Sequence, residues 1–430
     1  MQISDEALVR RLPWAIAHGA GNSIFSQLTF FGPVFLLFLD ALGLPKTRIG
    51  MLLSFLPFCG LLAPFIAPAV ARAGHKRVFL LFWFLRKIVT SCFLFTPWVI
   101  TLLGAEKTFY FIAVLVALFA LCRAIGETAY YPWFQDVVPT RIRGKYNAID
   151  NIAGTLSGGI ALAFASAVLA RLNGLTGHMV LMGTGVVFGI LCVLFAVKIP
   201  DPGSEREVEK VPAMGMLAAI RDRDFRMFMG VSALVALATM FITFVPLFMK
   251  ERIGLQSEQV VQLQIASLFG GVTSSYLWGK LSDRKGSRLI ILYTLTTMCL
   301  LPIAWVAMPR LSFLSFWVAL SIAWVSGVAF AGFFVAKFRM LYVGLVPSER
   351  KTAYMAVYYA WVGLVGGCGP ILAGWMLEAF KGFEQRLWIF TLDEYTSLFV
   401  AVFGLLLTSI GLTFKIHVEK QGVVESHSVR

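Results

Sequence analysis

Charged residues are scarce in this chain of 430 residues. Asp, Glu, Lys and Arg together make up 14% of the sequence, whereas they make up about 25% of a typical soluble domain. Hydrophobic residues make up 58%, and the mean hydropathy is +0.80. These values exclude an ordinary soluble protein and indicate a chain that crosses a membrane many times.

Several chemical signatures are missing as well. The six cysteines all fall in apolar segments and none is spaced C-x-x-C, and the five histidines show no metal-ligand spacing. We therefore expect no disulfide framework, no zinc site and no cofactor. There is no phosphate-binding Walker sequence, so ATP-driven transport by this chain alone is not indicated. The loops contain no combination of nucleophile, base and oxyanion-binding groups, so enzymatic activity is not indicated either. No cleavable signal peptide is expected, because Arg10 and Arg11 lead into a long span.

A helix needs roughly 20 mostly apolar residues to cross a bilayer. The predicted spans lie near residues 14–39, 49–71, 78–103, 109–135, 147–170, 178–198, 226–249, 260–280, 288–308, 312–336, 353–378 and 395–415. Lys and Arg outside these spans concentrate in the loops that are cytoplasmic if the N-terminus is inside, so both termini are expected in the cytoplasm. We attribute the net charge of +14 to this topology and to contact with anionic lipids, and expect no nucleic-acid partner.

The two halves of the chain resemble each other. Aligning Pro139 with Pro347 also superposes Tyr146 on Tyr354. A duplicated six-helix unit is a common plan of secondary transporters. The expected domains are an N-terminal six-helix bundle (1–199), a cytoplasmic linker (200–224), a C-terminal six-helix bundle (225–418) and a cytoplasmic tail (419–430).

The loop between spans eight and nine reads GKLSDRKGSR. It resembles the signature of the major facilitator superfamily, G-x-L-x-D-R-x-G-x-R. The matching positions are Gly279, Leu281, Asp283, Arg284, Gly286 and Arg288. Glycine suits a tight turn between helices, and a carboxylate and a guanidinium can pair with a neighbouring helix end. The resemblance implies a gating role for Asp283, Arg284 and Arg288; the alternative is a turn that only sets topology.

The first copy of this loop, PAVARAGHKR, departs from the signature. Ala71 stands in the aspartate position, while Arg72, Gly74 and Lys76 keep their places. A latch in the first half is therefore expected to be weaker than the one in the second half.

A second resemblance to the family lies at the end of span four. There Asp136, Pro139, Arg143 and Gly144 match an acidic-x-x-P-x-x-x-R-G element. We add Asp136 and Arg143 to the gating residues. Together the motifs imply an all-α integral membrane protein of twelve helices in two six-helix pseudo-repeats, which moves its solute by alternating access.

Ionisable groups within spans are costly and usually functional. Arg123 and Glu127 lie four residues apart in span four and share one helix face. The family's fourth-helix pattern is met only at Arg123, which in proton-driven relatives lies beside the coupling machinery. We expect this pair to serve coupling or substrate binding; the alternative is a structural ion pair. Arg86 and Lys87 in span three either snorkel to the surface or complement Glu127.

Further candidates come from the polar face of span one and the aromatic face of span eleven. Asn22 and Gln27 are expected to line the central cavity. Tyr354 and Tyr358 offer rings and hydroxyls to a solute, although packing between helices explains them equally well. Span eleven also carries GLVGGCGPILAG, which allows close helix approach and a bend.

These features predict a secondary active transporter, a monomer in a bacterial-type inner membrane, that moves a small organic solute by proton symport. Its partners would be the solute, protons and membrane lipids. One alternative is a uniporter or an efflux carrier without proton coupling. An alternative of another class is a receptor or scaffold that has this fold and does not transport.

Overall fold

A computed structural model describes residues 5–172, 174–201, 213–347, 350–387 and 390–416. These residues form sixteen α-helices and one β-hairpin. The helices are α1 (Asp5–Leu28), α2 (Pro33–Ala41), α3 (Lys46–Gly60), α4 (Ala63–Ala73), α5 (His75–Ser91), α6 (Thr96–Val137), α7 (Arg143–Arg171), α8 (Leu175–Val197), α9 (Ala213–Arg221), α10 (Arg223–Ile242), α11 (Val245–Glu251), α12 (Ser257–Lys285), α13 (Ser287–Val306), α14 (Phe313–Arg339), α15 (Lys351–Ala379) and α16 (Glu394–Phe414).

Nine helical stretches in the described part of the chain are long and apolar enough to cross a bilayer, or ten if α3 and α4, bent by 56°, form one span. One of the nine, His75–Val137, has 63 residues. This is more than twice the length of one crossing, and the backbone breaks inside it at Gly104, with φ 77°, so it holds two spans. The more polar α12, of 29 residues, supplies the remaining predicted span.

Short helices extend several spans. Helix α2 continues α1 after a break at Gly32, and α11 follows α10 in the same way in the second half. Both α2 and α11 begin with proline in the first turn, a position where the missing N–H costs no hydrogen bond. The equivalent breaks in the two halves agree with the internal repeat.

The two signature loops contain tight glycine turns. Gly74 joins α4 to α5 with φ 91°, and Gly286 joins α12 to α13 with φ 86°. Residues with a Cβ rarely adopt this region. The prediction that glycine is needed for a tight turn here is confirmed in both copies. We call the side that carries these turns the inner side, since the sequence assigns it to the cytoplasm.

The two halves meet at the opposite, outer side. A Cβ on Gly50 of α3 would collide with the carbonyl oxygen of Pro370 in α15, and one on Gly374 would collide with the carbonyl of Lys46. The Ser166 hydroxyl of α7 donates to the Glu258 carbonyl of α12 at 3.2 Å. Close approach of span eleven through glycine is thereby confirmed, and the outer ends of the halves are joined.

One element departs from the all-α prediction. The outer loop before α16 forms an antiparallel hairpin of β1 (Glu384–Leu387) and β2 (Phe390–Asp393). It ends where the Asp393 side chain caps α16, accepting from the Thr396 backbone N–H at 3.1 Å. Residues 202–212 of the predicted linker and the predicted tail lie outside the described residues, while α9 occupies the end of the linker.

Candidate substrate and gating site

Arg123 and Glu127 form an ion pair on α6. The distance from Arg123 Nε to Glu127 Oε1 is 2.7 Å, and the side chains are 27% and 36% exposed. The guanidinium lies 4.7 Å from the centre of the Phe31 ring. A partly exposed pair can both hold a helix and meet a solute, so the role of this pair in coupling or substrate binding stays a prediction.

The face of α6 that carries this pair is directed towards the second half. Tyr131 lies one turn beyond Glu127 and is 64% exposed. It interacts electrostatically with Glu127 and with Tyr342 of the second half. The hydroxyls of Tyr342 and Tyr359 lie 3.3 Å apart. The Arg123–Glu127 pair therefore lies on the surface that the two halves share.

Asn22 is engaged by two cations of α5. Its Oδ1 accepts from Arg86 Nη2 at 2.6 Å and from Lys87 Nζ at 3.3 Å. Arg86 is 2% exposed and Lys87 is fully buried. The alternative in which these cations snorkel to the surface is wrong, because their partners come from α1 and from aromatic rings inside the bundle.

The side chain of Gln27, a residue of α1, packs against α7. The Cβ position of Gly158 is 3.5 Å from Gln27 Cγ, and Gln27 Oε1 is buried with no hydrogen-bond partner among the described residues. A buried acceptor without a partner is uncommon. Cavity lining by Asn22 and Gln27 stays a prediction.

Tyr354 and Tyr358 are buried at 4% and 2% exposure. The Tyr354 hydroxyl donates to Asp222 Oδ2 at 3.2 Å, and Tyr358 stacks on Phe228 at 5.9 Å. These contacts hold α15 against the start of α10. They match the packing alternative, while a role in solute binding stays a prediction.

The second-half signature contacts two neighbouring helix ends within its own half. Asp283 Oδ1 lies 2.8 Å from Arg339 Nε, at the end of α14. Arg288 donates to the Phe414 carbonyl at the end of α16, and Arg284 is exposed. The carboxylate and a guanidinium thus bind neighbouring helix ends, while their gating role stays a prediction.

The first half repeats one of these contacts with a different residue. Lys76, in the last basic position of the motif, donates to the Val197 and Ile199 carbonyls at 3.2 and 2.6 Å, at the end of α8. In both halves the last basic residue thus caps the sixth span, where the helix dipole favours a cation. The missing aspartate at Ala71 leaves this contact intact.

Arg143 caps the helix that carries the ion pair. Its Nη2 donates to the Gln135 and Val138 carbonyls, at 2.8 and 3.2 Å, at the end of α6. Asp136 is half-buried in the last turn of that helix. The motif therefore fixes the inner end of α6.

Charged residues at the outer ends of the spans form a network that the sequence analysis missed. Asp40 of α2 lies 2.7 Å from Lys250 of α11 and 3.3 Å from Lys46 of α3. Lys46 also pairs with Glu251, and Tyr395 donates to Glu251 at 2.6 Å. These bonds connect the first half to the second. The only signal in the sequence is that each charge stands at the end of a span.

A second outer contact secures α16. Arg252 Nε donates to Glu394 Oε1 at 3.1 Å. The hydrogen bond that Arg252 donates to Glu394 raises the pKa of Arg252 above its usual value, so this residue stays charged. The outer ends of α11 and α16 are thereby fixed to each other.

A cavity of about 370 Å³ lies beneath the outer network, mostly in the second half. Its polar lining comes from Thr239, Thr243, Gln264, Ser267 and Ser326. The predicted site residues in the described part of the chain are not among its lining. A volume of this size fits a small organic molecule.

The comparisons with known proteins define the class. The sequence profile described as Major Facilitator Superfamily matches residues 19–336. The chain belongs to this superfamily and is a multi-pass membrane transporter. It is not an enzyme.

Solved structures with the same fold cover nearly the whole chain. The nucleoside transporter NupG superposes with a TM-score of 0.68 at 16% identity, over 95% of this chain and 98% of that one. A bacterial homologue of the iron transporter ferroportin, in its inward-facing state, gives 0.69 at 13% identity, over 95% and 98%. A bacterial homologue of the lysosomal transporter Spinster, inward-facing and unoccupied, gives 0.68 at 16% identity, over 95% and 96%. No curated protein matches the sequence significantly.

Proposed function

We propose that the protein moves a small organic solute by alternating access and couples this movement to protons through Glu127. The observation that supports the proposal is the Arg123–Glu127 pair, which is partly exposed on the face of α6 directed at the second half. A carboxylate within a span is costly unless it is paired or functional. Here it is paired, yet its position lets a solute reach it.

The proposed coupling follows from competition for Arg123. In the structure Glu127 is bound to Arg123 at 2.7 Å. A solute group that binds Arg123 weakens that pair and favours uptake of a proton by Glu127. Solute and proton would then bind together and leave together, which is symport.

A second candidate is uniport or efflux without proton coupling. The contact of Arg123 with the Phe31 ring at 4.7 Å favours it, because an ion pair supported by an aromatic ring can simply fix α6 against the turn between α1 and α2. We further propose that the protein is a monomer in a bacterial-type inner membrane, with domain limits as given by the sequence.

The test begins with a thermal-unfolding screen of purified protein against small organic solutes at pH 5.5 and 7.5, since a ligand of the folded state raises its stability. Solutes that bind are then offered to proteoliposomes with a pH gradient. We expect Glu127→Gln to abolish gradient-driven accumulation and to keep solute exchange. Asp150→Asn is the matched control, since Asp150 of α7 is another partly buried carboxylate of the first half.

The outcomes separate the candidates. Accumulation that survives Glu127→Gln with its pH dependence unchanged contradicts proton coupling at this residue. Flux that never responds to the gradient supports uniport. A solute that binds and is not transported supports a receptor or scaffold.

A further inference from the structure

The least compensated charges of the first half lie in α5. Arg86 and Lys87 are adjacent, 2% and 0% exposed, and neither forms an ion pair with any described residue. A guanidinium stays charged in proteins, and leaving a buried cation without an anion is strongly unfavourable. The structure therefore holds positive charge inside the bundle without a resident carboxylate beside it.

The immediate surroundings of the two cations are aromatic. The Arg86 guanidinium lies 3.6 Å from the Trp83 ring centre, and the Lys87 ammonium lies 3.2 Å from that of Phe25. Ring faces attract cations but do not neutralise them. The one described oxygen that both cations share is Asn22 Oδ1, which is uncharged. Arg86 Nε is buried and has no hydrogen-bond partner among the described residues.

The carboxylates of this half do not neutralise the charges of Arg86 and Lys87. Arg86 interacts electrostatically with both Arg123 and Glu127, but Glu127 is already paired with Arg123 at 2.7 Å. Asp150 lies elsewhere, with its Oδ1 against Gly19. Arg123 and Arg86 thus share a single nearby carboxylate, and Lys87 forms no ion pair with any described residue.

We infer that the solute is an anion whose negative group binds the surface formed by Arg86, Lys87, Asn22 and Arg123, which we call the basic cluster. This inference rests on the proposed transport function and specifies its substrate class. A carboxylate or phosphate accepts the free Arg86 Nε–H and neutralises the excess charge, and guanidinium groups bind such anions with paired hydrogen bonds. In the structure the cluster is covered, so the anion binds as the surrounding helices separate.

The chain offers a close control for Lys87. Lys337 of α14 is also buried, at 7% exposure, and its ammonium lies 4.5 Å from the Phe334 ring centre. It belongs to the other half and has no part in the basic cluster. Replacing either lysine by methionine keeps the length of the side chain and removes the charge.

The experiment measures thermal unfolding of the full-length protein with acetate, benzoate, succinate, phosphate and sulfate. Sodium chloride at equal ionic strength is the reference, and acetamide and benzamide are uncharged analogues. We expect at least one anion, and neither amide, to raise the melting temperature. Its Kd should rise at least tenfold in Arg86→Gln and Lys87→Met and less in Arg86→Lys, while Lys337→Met keeps the wild-type Kd.

The melting temperature without anion distinguishes a variant that has lost the binding site from one that folds poorly. Because Lys87→Met removes a buried charge that has no ion-pair partner among the described residues, its melting temperature without anion should equal or exceed that of the wild type. The inference is overturned if no anion stabilises the protein, if the amides stabilise it equally, or if Lys87→Met and Lys337→Met weaken binding equally. Uptake of an anion without proton movement contradicts the coupling proposal and supports this inference. Proton-driven uptake of uncharged solutes alone supports the coupling proposal and overturns this inference.

Discussion

The outer network gives the sharpest prediction, because its bond between Lys250 and Asp40 joins the two halves directly. Lys250 Nζ lies 2.7 Å from Asp40 Oδ2, and the side chains are 33% and 17% exposed. A charged hydrogen bond contributes about 1.5–3 kcal/mol, and an exposed ion pair about 0–1 kcal/mol. Partial exposure places this bond at about 1–2 kcal/mol, or roughly 5- to 30-fold in the equilibrium between closed and open outer ends.

Lys250→Met should therefore increase the population with separated outer ends by that factor. The measurement is the distance distribution between spin labels at Glu106→Cys and Phe313→Cys, two exposed positions on the outer side of different halves. The six free cysteines are first replaced by serine or alanine. The closed outer ends give a shorter distance between the two labels and the separated outer ends a longer one. Without the bond, the population at the longer distance should increase.

Two further variants make this prediction decisive. Asp40→Asn should have a similar effect, and the double variant should add little, since both remove the same bond. Lys381→Ala is the control, because it breaks the surface pair with Glu378 at 2.9 Å within one helix end. Equal distance distributions in Lys250→Met and Lys381→Ala refute the reasoning.

Three other sites allow direct tests. Gly50→Ala should shift the same distance distribution towards the open form, because its Cβ meets the Pro370 carbonyl; an unchanged distribution contradicts this. Asp283→Ala removes the pair with Arg339 and should raise thiol labelling at the inner end of α14, whereas unchanged labelling and transport remove the latch assignment. Asp393→Ala should lower the free energy of unfolding by more than the about 1–2 kcal/mol of a helix cap, because it also removes the ion pair of this buried carboxylate with Arg310 at 2.9 Å; Asp393→Asn, which keeps the cap, should lower it less.

The fold was largely predictable because its signals are local in the sequence. Apolar runs of sufficient length predict spans wherever they occur, and α12 shows the limit, since it is a span of the fold although its polar residues keep it below the hydropathy of the others. The turns at Gly74 and Gly286 were predicted for the same reason: their positive φ is a property of one residue. The hairpin was not predicted, because its strands are only four residues each.

The site was harder to predict because its partners are distant along the chain. Arg123 and Glu127 pair within one helix, so their spacing was enough. Arg86 binds Asn22, 64 positions away, and Lys250 binds Asp40, 210 positions away. The spacing of residues along the sequence does not indicate which helices pack against each other. These bonds could therefore be identified only from the three-dimensional structure.

The glycine contacts between α3 and α15 have a consequence for how this chain can vary. The halves meet there through main-chain carbonyls against Gly50 and Gly374, so the fit between the two helices depends on the absence of side chains at these two positions. Residues around the cavity and the basic cluster can therefore be exchanged without altering how the outer ends fit. Such a division would let one scaffold acquire new cargo by substitution while its mode of closure is inherited unchanged.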